Sequence, residues 1–311
     1  MIQIIGLLLP IFAIIALGRA AVRFALIDPA GVRGLNDFTY WLALPALLFD
    51  SIAMGETLHL LGIASIYLAG CLLVYGLALL LARVLLHMRL SPAAAFALSA
   101  TYGNAIYFGT PIVSAVFGIP GLMLILPIIA LHSGVLLPLA SALIEYGSQS
   151  GSGAVLRKTL RSLLRNPIIM AIAGGFLWHI GGMPVPAPAH ALLGLLGKAA
   201  PSLALFCVGT SLPTVTSGSA KEAALAAAFK LIVLPAVIGA ASLSVGMSGL
   251  PVKVALITAA MPTGANAFMV ARRAPAFADT SAFAVVITLI AALPVLSGLL
   301  FELERITVAS W

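Results

Sequence analysis

Two short stretches carry the polar chemistry of this chain: TYGNAIYFGTP (101–111) and MPTGANAFMV (261–270). Each sets an Asn, Asn104 or Asn266, among Gly and Pro inside an otherwise apolar run. Asn both donates and accepts hydrogen bonds, Gly lets the backbone leave the helix, and Pro deletes a backbone donor. A helix broken in this way exposes the free amides at the start of its second half, with partial positive charge. That is a seat for a small anion. The candidate binding residues are therefore Asn104, Asn266, Thr101, Tyr102, Thr263 and Gly264. Gly103, Gly109, Pro111 and Pro262 shape the two breaks.

The elements that must hold these stretches follow from composition. Of 311 residues, 62% are hydrophobic and 8% charged, with mean hydropathy +1.18. Soluble domains carry roughly a quarter charged residues, so this is a polytopic membrane protein. The net charge of +7 does not imply nucleic acid, because the basic residues fall in short clusters between apolar runs, as cytoplasmic loops do. Cys71 and Cys207 both lie in apolar runs and read as small packed hydrophobes. No metal or cofactor is implied. The first 19 residues have no basic residue ahead of their apolar run and read as a retained span, not a signal peptide.

A span needs about 20 apolar residues. Runs and breakers predict ten: 2–22, 32–54, 60–86, 92–117, 121–146, 166–182, 189–213, 222–246, 251–271 and 279–301. Arg19, Arg23 and Arg33 surround the first connection, and Arg83 and Arg89 the third. Arg157, Lys158, Arg161 and Arg165 lie in the fifth, Lys221 in the seventh, and Arg272 and Arg273 in the ninth. The odd connections are thus expected to be cytoplasmic and both termini external. The long loop at 146–166 starts Gly/Ser-rich and continues as a basic amphipathic stretch, AVLRKTLRSLLR. It divides the chain into halves of five spans. An odd number per half inverts the second, the arrangement of inverted-repeat transporters.

The break in the fourth span lies about 12 residues, or ~18 Å of helix, from Pro92, near mid-bilayer. Thr110 is expected to cap the restarted helix with Pro111 at its first position, and Asn266 to cap the second half of the ninth span. Irregular backbone at this depth must be satisfied by protein or by a watery cavity. If the two breaks cross, Asn104 and Asn266 meet there. Two kinked helices whose Asn side chains bond only a neighbour are the plainer alternative.

Among other polar residues, Lys198 and Lys230 sit about nine residues into their spans. Each either draws an anion or bonds carbonyls and snorkels. His132, mid-span, is a coupling candidate or a core histidine, and Asp50 a coupling or gating candidate or a solvated one. No H-E-x-x-H or G-x-S-x-G occurs, and GLLGK (194–198) has Leu192 where a phosphate loop needs its first Gly. An enzyme is therefore not expected. A channel or receptor scaffold would not require paired broken helices.

SATYGNAIYFGTPIVSAVFG and AAMPTGANAFMVARR, with LPALLF, RNPIIMAIAGG, APSLALFCVGTSL and FKLIVLP, resemble the auxin efflux carrier family. The likeness runs through nearly the whole chain in order. It implies an all-α fold of ten helices in a 5+5 inverted repeat with two crossing interrupted helices, of the bile acid symporter and NhaA type. The resemblance implies scaffold helices in 1–55 and 166–215, a cytoplasmic basic loop at 148–165, and moving transport helices in 56–147 and 216–311. It places Asn104, Asn266, Pro111 and Pro262 at the family's crossover. The short central loop is similar to the bacterial branch, which implies an inner-membrane permease for malonate, malate or another small carboxylate. Homodimerisation and coupling to proton or sodium stay open.

Overall fold

The computed structural model describes residues 2–54, 60–148, 165–213 and 218–309, together with Arg161. Nearly all of them are helical. Apart from Arg161 and Arg165, the basic stretch expected to lie along the inner surface falls outside the described residues.

Helix α1 spans Ile2–Arg23, α2 Pro29–Phe38 and α3 Leu44–Ala53; α4 spans Leu60–Val84 and α5 Leu90–Thr101. Then follow α6 at Thr110–Gly147, α7 at Pro167–Ile180, α8 at Ala187–Thr210, α9 at Ala220–Ala228 and α10 at Leu234–Ser244. The last are α11 at Leu250–Ala259, α12 at Ala265–Ala271 and α13 at Pro275–Ala309. Among the described residues, five stretches are long and apolar enough to cross a bilayer: 62–84, 105–147, 187–210, 220–244 and 275–303. The helices α5, α7 and α11 are apolar but shorter.

Local sequence explains where several helices start. Asp28 and Asn166 cap α2 and α7 by accepting from Gly31 N (2.6 Å) and Ile168 N (2.9 Å), each with Pro at the first helical position. Ser219 caps α9 through Glu222 N at 3.2 Å.

Among the described residues, three π-turns interrupt the helical ladder, at Thr39–Ala43, Ala105–Gly109 and Phe229–Val233. Each closes one residue before a Leu-Pro or Thr-Pro step reaches its proline, at Pro45, Pro111 and Pro235. A helical proline collides with the carbonyl four residues back, and widening the turn removes the collision. This corrects the expected restart at Thr110. The helix resumes at Ala105, because the π-turn lets it run through Pro111, and Thr110 Oγ1 instead donates to Ala105 O at 3.2 Å. The 118–119 step does separate two apolar runs, through Gly118 at φ 63°, ψ −154°.

α1 packs mainly on α8, and α3 on α7 and α8. The α1–α8 contact is backbone on backbone: a Cβ on Gly18 would lie 2.2 Å from Phe206 O, and one on Gly209 2.0 Å from Ile15 O. Small residues permit this approach where lipid supplies no hydrophobic drive. A second neighbourhood packs α4, α5, α6, α10 and α11 together, with α13 across α5, α9 and α12. The breaks α5-to-α6 and α11-to-α12 lie inside it.

Candidate functional site

The two breaks touch through their backbones. Asn104 N–H donates to Pro262 O at 2.8 Å and Gly264 N–H donates to Tyr102 O at 2.9 Å, making an antiparallel bridge between Gly103 and Thr263. Gly103 and Gly264 are needed for closeness. A Cβ on Gly103 would stand 3.2 Å from Lys230 Cε and Nζ, and one on Gly264 3.0 Å from the Tyr102 ring.

At the end of each first half one carbonyl accepts from a protein side chain. Lys230, fully buried in the third π-turn, donates its Nζ to Ala259 O at the end of α11. Thr263 Oγ1 donates to Ser99 O in α5 at 2.8 Å, and Thr263 N–H donates to Thr288 Oγ1 at 2.9 Å. Thr101 spends its hydroxyl on Ala97 O at 2.7 Å.

The amide ends of the second halves are left open. Phe108 and Gly109 are the first donors of the resumed helix, both to Asn104 O. The amides of Ala105, Ile106 and Tyr107 therefore have no intrahelical acceptor. Asn104 occupies the cap position at φ −78°, ψ 58° but makes no side-chain cap bond. The position expected of Asn266 as a cap belongs instead to Gly264, at φ −73°, ψ 142°. Asn266 lies one residue inside α12, because Gly264 is already held in extended geometry by its bond to Tyr102. Neither Asn is used to cap its own helix.

Both asparagines line one cavity of about 250 Å³, together with Tyr102, Gly103 and Gly264. Its wall on the crossover side is completed by residues 105–107 and by Phe268 and Met269. The facing wall comes from α2 and α8: Asn36, Cys207, Val208 and, just past the end of α8, Ser211. The cavity has open amides and amide side chains on one side and apolar side chains about them. It suits a small anion with an apolar body.

The other residues singled out in the sequence distribute as follows. Tyr102 OH meets Ser133 Oγ at 3.0 Å and lies within reach of the Asn266 side chain. His132, 1% exposed, stacks on the Tyr102 ring at 4.5 Å and 14° and meets Tyr67 edge-on at 5.8 Å. Both its ring nitrogens lack a well-formed hydrogen bond, with the Thr101 carbonyl close by. Lys230 lies behind the cavity wall, against Gly103. Gly109 packs on Ile125, where a Cβ would come within 3.2 Å of Cδ1. Lys198 is exposed on α8 and is not among the residues lining the cavity. Asp50 pairs with His190 Nδ1 at 2.7 Å, tying α3 to α8 away from the breaks. Asn36, Ser211 and Tyr107 escaped the sequence reading. A single polar residue beside a loop carries no signal of the helix that will face it.

A family model described as membrane transport protein matches residues 3–300. A Rhizobium meliloti protein named "Putative malonate transporter" is 25% identical over 310 residues, 97% of this chain and 96% of its own length. Auxin efflux carrier component 1 of Arabidopsis thaliana is 30% identical over 148 residues, 45% of this chain and 24% of that carrier. Auxin efflux carrier component 2 of Oryza sativa subsp. japonica is 27% identical over 148 residues, again 45% of this chain and 24% of its own. These relatives are named as transporters and efflux carriers, not enzymes. With broken apolar helices joined at a cavity and a match over nearly its full length, this chain belongs to the membrane transport protein family, that of the auxin efflux carriers.

Proposed function

We propose that this chain is a secondary carrier of small organic anions, with the carboxylate bound at the crossover. One observation carries the reading. At the crossing, one carbonyl at each end with partial negative charge accepts from Lys230 or Thr263, while residues 105–107, whose amides carry partial positive charge, line the cavity beside Asn104 and Asn266. A site wired this way selects anions.

In this reading the chain crosses a bacterial inner membrane ten times as a 5+5 inverted repeat, with both termini external. Residues 1–55 and 166–215 form the scaffold, and 56–147 and 216–311 the moving unit that carries the crossover past it. Asn36, Ser211 and Met269 lie near connections bearing Arg33, Lys221 and Arg272. The cavity then faces the cytoplasm, one of two alternating states. The name of the Rhizobium relative supports malonate as a first substrate to try.

Flux of labelled malonate and malate into proteoliposomes is the test. Saturable uptake accelerated by the same anion on the far side is expected. Unsaturable conductance would mean a channel instead.

Proton coupling is a second reading favoured by His132, a buried ring with open nitrogens stacked against the break. Sodium at the crossing is less favoured, since Ala259 O and Ser99 O, carbonyls it would need, already accept from Lys230 and Thr263.

A further inference from the structure

Asn266 is exposed and lines the cavity one residue inside the seven-residue helix α12. An exposed side chain loses rotamer freedom when a ligand fixes it, and a group that holds it beforehand removes that cost. Tyr102 is placed to hold it. His132 stacks on its ring at 4.5 Å, and the Gly264 backbone presses on the ring so closely that a Cβ there would stand 3.0 Å from Cδ1 and Cε1. The Tyr102 carbonyl accepts from Gly264 N–H at 2.9 Å, which ties this residue to the start of α12. At the far end of the ring the hydroxyl meets Ser133 Oγ of α6 at 3.0 Å and lies within reach of the Asn266 side chain. A hydroxyl has one donor and two acceptor sites, so it serves both partners at once, whichever way each bond runs. Tyr102 is 3% exposed, and Ser133 is buried and not among the residues lining the cavity. Ser133, Tyr102 and Asn266 thus form a chain from the protein interior to the site.

We propose that Tyr102 is a positioning residue for the anion site: its hydroxyl, anchored by Ser133, holds the Asn266 side chain ready for the substrate carboxylate. This rests on the carboxylate binding at the crossover as proposed above. Geometry at a binding site is only as good as the shell that locks it. Because Tyr102 acts through Asn266, its hydroxyl matters to binding only while Asn266 is present.

A double-mutant cycle on the purified full chain tests this. Malonate, malate and propionate are titrated calorimetrically at pH 7.5, and the tightest is carried through the variants. Tyr102→Phe, which keeps the ring, should weaken binding about fivefold, the equivalent of one net hydrogen bond. In the Asn266→Ala background the same change should alter affinity less than about twofold, since its partner is gone. Ser133→Ala, outside the cavity, should weaken binding in the wild-type background and add nothing once Tyr102 is Phe. Equal losses from Tyr102→Phe in both backgrounds, or no loss in either, would overturn the inference. Thermal unfolding of the same proteins without ligand is the second measurement. The Tm losses of Tyr102→Phe and Asn266→Ala should sum to more than that of the double variant, and strict additivity would mean that the two side chains are not bonded. A loss of affinity in Asn266→Ala with none in Tyr102→Phe removes the positioning role and leaves the crossover site standing. Unaltered affinity in Asn266→Ala, or no saturable binding of any of the three anions, overturns the inference together with the anion site it rests on.

Discussion

The amide of Asn104 donates to the carbonyl of Pro262 across the crossing at 2.8 Å, so a residue in the first break is held by a residue in the second. With the reciprocal bond from Gly264 to Tyr102, two interrupted helices become one rigid joint. The bonds use backbone only. The Asn104 side chain is thereby free to face the cavity.

Replacing Asn104 or Asn266 by Ala should therefore leave the joint intact and weaken carboxylate binding at least tenfold, about 1.4 kcal/mol or more. Calorimetry beside size-exclusion profiles of the variants checks both halves of the expectation. Undiminished affinity in both variants would remove the asparagines from the site.

Lys230→Met keeps most of the volume but leaves Ala259 O buried without its donor, at a cost of about 1–3 kcal/mol. A lower Tm and weaker anion binding are expected together. A variant with wild-type Tm would mean that the ammonium is not needed to close the end of α11.

Gly209→Ala forces a methyl toward Ile15 O, to which an ideally placed Cβ would stand only 2.0 Å away. Separating α1 from α8 should cost about 1–3 kcal/mol. Gly76→Ala, which meets nothing within 4 Å, is the neutral control. Thermal denaturation of the two in detergent should show a drop only for the first.

The Asp50–His190 pair is half exposed on its histidine side and should contribute at most about 1 kcal/mol. A double-mutant cycle of Asp50→Asn and His190→Ala measures that coupling. A value of several kcal/mol would mark it as more than a surface tie between α3 and α8.

Topology is open to labelling. Ser248→Cys should react with an impermeant maleimide from outside intact cells, and Arg273→Cys only after permeabilisation. The reverse pattern would invert the proposed orientation.

Much of this was legible in the sequence. Long apolar runs with few charges can only be membrane helices, and Gly, Asn and Pro crowded at matching places signal that two of them break. The reason is local: a proline lacks a donor and clashes whatever surrounds it, and a glycine permits a bend whatever it packs on. The restart at Ala105 was not legible, because a proline marks equally a helix start or a π-turn running through it, and neighbouring packing chooses. Nor was the fate of the lysines. Lys198 and Lys230 look alike in sequence, yet one is exposed and the other closes the end of a helix far along the chain, since only the fold decides which carbonyl lies opposite. Asn36 and Ser211 reach the cavity for the same reason. Chain composition determined the solvent this protein lives in and where its helices fail; tertiary packing decided which of the exposed backbone groups were paired and which were left open, because a hydrogen bond across the crossing depends on position in space and not on position in the chain.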